Sequence, residues 1–484
     1  IAEDLGAEVF YTYCESHTRD ISFHVIARAL RAAMDVGGLP ADEARARLRS
    51  RLADSGETDI ALLDELLGIQ DGETPSVTIS PDARRKRLVE LLTSAAVARS
   101  SPSMWVVEDV HWIDSVSESL LAELAAALPG TRSLMVVTYR PEYHGVLSQI
   151  SEPQTIVLAP LDHSQCTALT TELLGTDPSV DGLVTLVADR AAGVPFFAEE
   201  IVRDLAERHV LGGARGAYTC SASVEDISVP ATLQAAIAAR VDRLGDAVKQ
   251  TLHAAAVIGT RFAADLLEKL VPEPELAALV AAELIDTLST APPAMFAFHH
   301  PLIQKVAYDS QLRSERARLH RRLASQIEQV DDNAGLIATH WEAAGDHRQA
   351  FEWHMRAGSW FNYRDQRAAR TSWQRAAAVA DQLPGDDPDR LSCQIAPRTL
   401  ICATTFRVGG GPADTGFDEL QKLTTAAGDK VSQIIGMAGY LTTLAFRSHH
   451  REASALASEF VTLVESTGDP TMIVGLLCAA AQAK

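Results

Sequence analysis

Four short apolar runs within the first 158 residues decide which architectures are open to this chain. They are Ala7–Tyr13 (AEVFYTY), Met104–Glu108 (MWVVE), Leu134–Tyr139 (LMVVTY) and Thr155–Leu158 (TIVL). Rich in β-branched and aromatic residues, they suit strands buried on both faces of a parallel sheet. Helical patterns separate them, over Phe23–Ala33, Ala41–Ala53, Asp59–Leu67, Pro81–Ala98 and Glu118–Leu128. Such alternation implies βα units with right-handed crossovers. From about Ser164 the strand signal fades, and helical stretches follow over Ser164–Leu174, Val180–Ala192, Pro195–His209 and Pro230–Leu244. Val210–Ser228 is rich in Gly and Ser and reads as a hairpin or loop. The stretch from Asp246 to about Val330 mixes helices with a strand-like piece at Met295–His299. Ala334–Lys484 is almost wholly helical, with Trp341, Trp353, Ala357, Trp360, Phe361 and Trp373 at helical spacing. That spacing suits stacked helix pairs, interrupted at Leu383–Asp389 and Val408–Pro412. The expected fold class is α/β followed by all-α.

With 484 residues the chain has room for about three domains. It carries 43 basic and 64 acidic residues, a net charge of −21. That balance argues against a protein built mainly to coat nucleic acid or an anionic membrane. No apolar run approaches the roughly 20 residues needed to cross a bilayer. The opening IAEDLGAEVF lacks the basic and apolar regions of a secretory signal, and also an initiator Met. Lys484 falls inside a helical pattern, so the sequence reads as a fragment. Six scattered cysteines without a CxxC pair suit the reduced thiols of a cytoplasmic protein. The pairs His299-His300 and His449-His450 have no Cys or carboxylate partner at ligand spacing, and no structural metal is expected.

Chemistry concentrates in Met104–Asp114, MWVVEDVHWID. Four apolar residues end in adjacent carboxylates, Glu108 and Asp109, with a third acid at Asp114. Ligands of open parallel sheets bind at the carboxyl ends of strands. An acidic pair there can hold hydrated Mg²⁺ and polarise a water for attack on phosphate. Equally, Glu108 and Asp109 could cap the helix that follows. Spacing alone leaves both readings open.

MWVVEDVHWIDSVSESLL resembles the Walker B segment of the STAND-type, AAA-related regulatory ATPases, which occur joined to class III adenylate or guanylate cyclase domains or to LuxR-type DNA-binding domains. Further segments resemble that family in its order. SLMVVTYRPE (133–142) is similar to the strand carrying the sensor-1 arginine, here Arg140. AAGVPFFAEEIVRDL (191–205) is similar to its lid motif, with Gly193, Pro195, Phe196, Phe197, Glu199 and Glu200. Residues 229–259 and 296–324 resemble the opening and closing segments of its winged-helix domain, His300 taking the place of a nucleotide-reporting histidine. The helical tail resembles the TPR-like superhelix that commonly follows.

The resemblance implies an NTPase core over 1–163, a helical lid over 164–228, a winged helix over 229–330 and a TPR-like superhelix over 331–484. It implies ATP or ADP and Mg²⁺ as cofactors. Glu108 and Asp109 would handle the metal, through water, and the attacking water. Arg140 would contact the γ-phosphate, Gly193 and Pro195 would shape a turn against the adenine, and His300 would report the nucleotide state. For these the plainer readings are an ordinary ion pair, a helix-opening proline and a core or surface histidine. The family's phosphate cradle, G-x-x-x-x-G-K-[ST], is absent, and none of the seven lysines follows a glycine. The sheet is therefore expected to lack its P-loop strand and to leave backbone edges unpaired.

Two basic clusters, Arg84–Arg87 (RRKR) and Arg313, Arg316, Arg318, Arg321 and Arg322, raise the question of DNA. Solvated helix faces are the commoner explanation in so acidic a chain, and nucleic acid and membrane are not expected partners. The leading expectation is a nucleotide-driven signalling switch, the regulatory part of an adenylate or guanylate cyclase-like protein and a candidate homo-oligomer, whose tail takes a protein partner or inducer. The alternatives are a helical-repeat scaffold with a vestigial ATPase and the ATPase part of a LuxR-type regulator.

Overall fold

The computed structural model describes the chain except residues 1–3, 5, 16–17, 20, 38, 53–55, 70–78, 99–100, 151–153, 223–226, 291–292, 470–480 and 482–484. Strand β1 (Glu8–Tyr13) leads into α1 (His24–Met34), α2 (Ala41–Arg51), α3 (Glu57–Leu66) and α4 (Pro81–Ala98). Then come β2 (Ser103–Glu108), α5 (Ser115–Ala127) and β3 (Ser133–Val137). The strands form a parallel sheet in the order β1-β2-β3. Register sets Phe10, Trp105 and Met135 side by side, and likewise Thr12, Val107 and Val137. Trp105 and Val107 of that face share a core with Ile26 and Leu30 of α1, Leu88 of α4 and Leu120 of α5. On the opposite face Leu134 and Val136 of β3 remain exposed.

The expected fourth strand does not form. Residues 155–158 are irregular, and Ile156, Val157 and Leu158 are 76 %, 82 % and 90 % exposed. An apolar run becomes a strand only when a neighbour takes its N–H and C=O groups, and no strand pairs with this run among the described residues.

The chain continues through α6 (His163–Leu174), α7 (Asp181–Ala191), α8 (Pro195–Glu207) and the hairpin β4 (Leu211–Ala214) and β5 (Ala217–Cys220). Residues 211–220 of the Gly- and Ser-rich stretch thus form a hairpin. Next are α9 (Leu233–Arg243), α10 (Asp246–Ile258), β6 (Arg261–Ala263), α11 (Ala264–Leu270), α12 (Leu276–Ala281), β7 (Ile285–Ser289), β8 (Met295–Phe298) and α13 (Pro301–Asp309). Strands β6, β8 and β7 form an antiparallel sheet in that order. The tail comprises α14 (Arg313–Gln326), α15 (Ala334–Ala343), α16 (His347–Phe361), α17 (Gln366–Asp381), α18 (Arg390–Thr404), α19 (Phe417–Ala427), α20 (Lys430–Phe446) and α21 (His450–Glu465). The breaks expected around 383–389 and 408–412 separate α17 from α18 and α18 from α19.

Contacts divide the chain into two compact units, one of residues 1–153 with 320–484 and one of residues 154–319. In the first, the tail is continuous with the α/β part: Ala324, Ile337, Trp353, Phe361 and Trp373 belong to the same core as Trp105 and Leu120. Phe23 stacks on Phe361 with ring centres 6.1 Å apart. The RRKR cluster is only partly a solvated face. Arg84 is buried against Glu65, Arg85 meets Glu123, and Arg87 holds Asp59 through two bonds of 2.7 Å. No helix of the described residues is long and apolar enough to cross a membrane.

Candidate functional site

Strand β2 is the middle strand of the parallel sheet and delivers Glu108 at its carboxyl end. On the adjacent strand, the Tyr11 hydroxyl donates to the Glu108 carboxylate, while the Glu108 carbonyl accepts from Cys14 N–H at 2.8 Å. Asp109 then adopts the left-handed conformation, φ 57° and ψ 40°. A non-glycine residue held there costs about 1 kcal/mol or more, and Asp and Asn tolerate it best. Two bonds to Thr138 beyond β3 hold the turn: Asp109 N–H donates to Oγ1 at 3.0 Å and Val110 N–H to the carbonyl at 2.9 Å. The turn presents a 44 % exposed Asp109 carboxylate, 3.8 Å from Nδ1 of His111. Burial holds the His111 imidazole below its ordinary pKa; Asp109 pulls the other way, and the Arg140 charge adds to the depression. Arg140, just past β3, is exposed and makes no ion pair among the described residues. Glu108, Asp109, His111 and Arg140 therefore share the carboxyl edge of one sheet.

The helix-capping alternative for Glu108 and Asp109 does not hold, because Asp114 caps α5, accepting from Ser117 N–H at 2.8 Å. The same oxygen accepts from Phe23 N–H at 3.1 Å, tying the start of α1 to the start of α5. Asp114 is 2 % exposed, and burial pushes its carboxyl up to about 6 against these hydrogen bonds.

The other three candidates lie in the unit of residues 154–319. Gly193 has φ +81°, and a Cβ there would meet the Leu161 carbonyl at 2.5 Å. Its own carbonyl accepts from Leu161 N–H at 2.9 Å, so the position requires glycine. Pro195 opens α8 at the first helical position, where a missing N–H costs nothing. His300 caps α13, its Nδ1 accepting from Leu302 N–H at 3.1 Å. Its ring stacks on Phe196 of α8, 4.0 Å between centres and 16° between planes. Phe196 thus connects the Gly193–Pro195 turn to His300.

Sequence reading left Glu200 without a role. Fully buried on α8, it meets Arg240 of α9 and Arg203, each at 2.6 Å. Its neighbour Glu199 contacts Arg215 at the surface. The signal was available: two adjacent acids on an apolar helix face cannot both reach water.

Residues 1–137 match the family model of the AAA ATPase domain. An uncharacterized protein of Rhizobium meliloti (strain 1021) is 31 % identical over 324 residues, which is 63 % of this chain and 31 % of that protein. The chain thus spans about a third of the length of this relative. A solved signal-transduction ATPase with numerous domains (STAND) from Pyrococcus horikoshii, carrying a tetratricopeptide repeat sensor, aligns over 100 % of this chain and 72 % of its own, at 10 % identity and a TM-score of 0.39. Likeness at that level carries no argument about this chain.

Proposed function

We propose that the chain is part of a STAND-type regulatory ATPase in which the carboxyl edge of the β1-β2-β3 sheet handles Mg²⁺ and nucleotide. One observation carries the reading: an exposed carboxylate, Asp109, held by a left-handed turn at the end of the middle parallel strand of a segment that matches the AAA ATPase domain. The donor set suits the group. Hard carboxylate oxygens accept a hydrated Mg²⁺, and the unpaired guanidinium of Arg140 suits a phosphate. When bound, Mg²⁺ with ATP supplies the transferable phosphoryl group and neutralises charge on it. Asp109 is placed to hold the metal's water shell, Glu108, oriented by Tyr11, to hold a proton of the attacking water, and Arg140 to bind phosphate oxygens. In the other unit, Gly193 and Pro195 form the turn proposed to face the adenine, and the Phe196–His300 stack is a route by which nucleotide state could reach α13. The proposed divisions are an NTPase core to residue 163, a lid to 228, a winged helix to 330 and a TPR-like superhelix beyond; helices α9 to α13 with the small β6-β8-β7 sheet support the winged-helix assignment.

The phosphate cradle is proposed to come from chain outside these 484 residues. No Gly-Lys loop occurs in the sequence, and β3 has a free edge among the described residues, with Leu134 and Val136 exposed. Calorimetric titration of the present chain with Mg·ATP should give no saturable binding in the micromolar range; micromolar affinity would overturn the assignment of the cradle. In a protein that includes the cradle, Glu108→Gln with Asp109→Asn should slow ATP hydrolysis about a hundredfold. Unchanged hydrolysis would remove these residues from the site.

A further inference from the structure

The first unit has a half-open pocket of about 780 Å³ between its α/β part and its tail. Sites for small molecules typically measure about 300–1,000 Å³. Five arginines line it: Arg84 and Arg85 of α4, Arg364 and Arg367 around the start of α17, and Arg407 after α18. Three already have acidic partners. Arg84 contacts Glu65, Arg364 lies 3.7 Å from the same residue, and Arg85 contacts Glu123. Arg367 and Arg407 are exposed and make no ion pair among the described residues. The cavity's own carboxylate, Asp365, is engaged as the cap of α17, accepting from Ala368 N–H at 2.8 Å. Five guanidinium groups thus face three carboxylates in a chain whose net charge is −21. This cavity runs against the field of the whole molecule.

Helices α5 and α17 both begin at the cavity, with Ser115 and Gln366 in its wall, and each start is capped by an aspartate, Asp114 and Asp365. Gln366 in the wall is held locally, its amide nitrogen donating to the Asn362 carbonyl. Phe23, Leu88 and Leu120 give the wall an apolar part. Glu108, Asp109 and Arg140 do not line the cavity, so it is a separate site.

We propose that this cavity binds a small organic phosphate carrying at least two negative charges. The planar guanidinium groups of Arg367 and Arg407 bind the phosphate oxygens in paired hydrogen bonds. The apolar body rests on Phe23 and Leu120. Because α4 and α5 supply one wall and α17 the other, the ligand ties the tail to the α/β part and stabilises their packing by mass action.

Inorganic pyrophosphate is the probe, titrated into the chain at low salt, with citrate as a carboxylate of comparable charge. Pyrophosphate should bind saturably and more tightly than citrate. Arg367→Glu and Arg407→Glu should each weaken binding about tenfold or more, as expected for loss of a charge-assisted bond. The milder Arg367→Gln should fall between. Both arginines are exposed, so the variants should keep the fold, which circular dichroism checks. Failure of pyrophosphate to bind, equal binding of citrate, or full binding by the two arginine-to-glutamate variants would each overturn the proposal.

Discussion

Two aspartates five residues apart behave oppositely because the backbone gives one to water and denies it to the other. Asp109 sits in a left-handed turn with its carboxylate half in solvent, whereas Asp114 is enclosed at the meeting of α1 and α5. The second arrangement has a consequence for stability. Folded Asp114 takes up its proton near pH 6, against 3.8 for the unfolded chain. Between those values the folded state holds the extra proton, so this group's contribution to stability falls as pH rises. A difference of about two units corresponds to roughly 3 kcal/mol, complete above the folded value. Asp114→Asn keeps an oxygen for the Ser117 and Phe23 N–H groups and removes the charge. Urea unfolding of both proteins at pH 4 and pH 7.5 should show the variant gaining on the parent by up to about 3 kcal/mol at the higher pH. A difference that does not change with pH means that Asp114 is not held near neutrality. None of this was legible locally, since the Phe23 contact comes from 91 residues away.

Helix positions were legible because 3.6-residue periodicity reports burial directly. Pro81–Ala98 begins and ends where the pattern does, and most other helices lie within a few residues of expectation. Thr155–Leu158 was not, because a strand depends on a partner that composition cannot reveal. Charge networks between elements were equally hidden. In the unit of residues 154–319, Glu200 meets Arg240, which meets Glu207, which meets Arg243, which meets Asp204. Arg240 also donates to the Ala282 carbonyl at 2.7 Å. With Glu200 fully buried and Arg240 2 % exposed, removing one partner takes the most buried counter-charge from the other, leaving Glu200 to Arg203 and Arg240 to Glu207. Glu200→Ala and Arg240→Ala should each cost about 3–5 kcal/mol. The double variant Glu200→Met with Arg240→Met should cost clearly less than the two single changes combined. Denaturant titration checks both, and additive losses would mean that the two charges do not act as a pair.

At the scale of the whole molecule, the expected succession of α/β part and helical tail is present in the chain, but the way the tail is shared between two cores was not legible. Small residues at helical spacing say that helices stack, not which surface receives them. Ala324, Ile337, Phe361, Trp373 and Ile401 join the core of the α/β part, whereas Ile395, Phe417, Met437, Leu441 and Phe460 form a separate cluster. Helix α18 contributes to both. The arginine cavity was hidden for the same reason, its walls being drawn from residues near 85, 118, 366 and 407. This division predicts how the unit comes apart. Phe361, 6 % exposed and stacked on Phe23, connects α16 to the layer containing α1 and α5, and its truncation to alanine should cost about 3–5 kcal/mol. Amide exchange should then quicken in α1 and α5 as well as in α16, with α20 and α21 little affected. Phe460→Ala, which opens the second cluster, should quicken α20 and α21 and leave α1 and α5 protected. If Phe361→Ala loosens only the tail, the tail and the α/β part do not share one cooperative core.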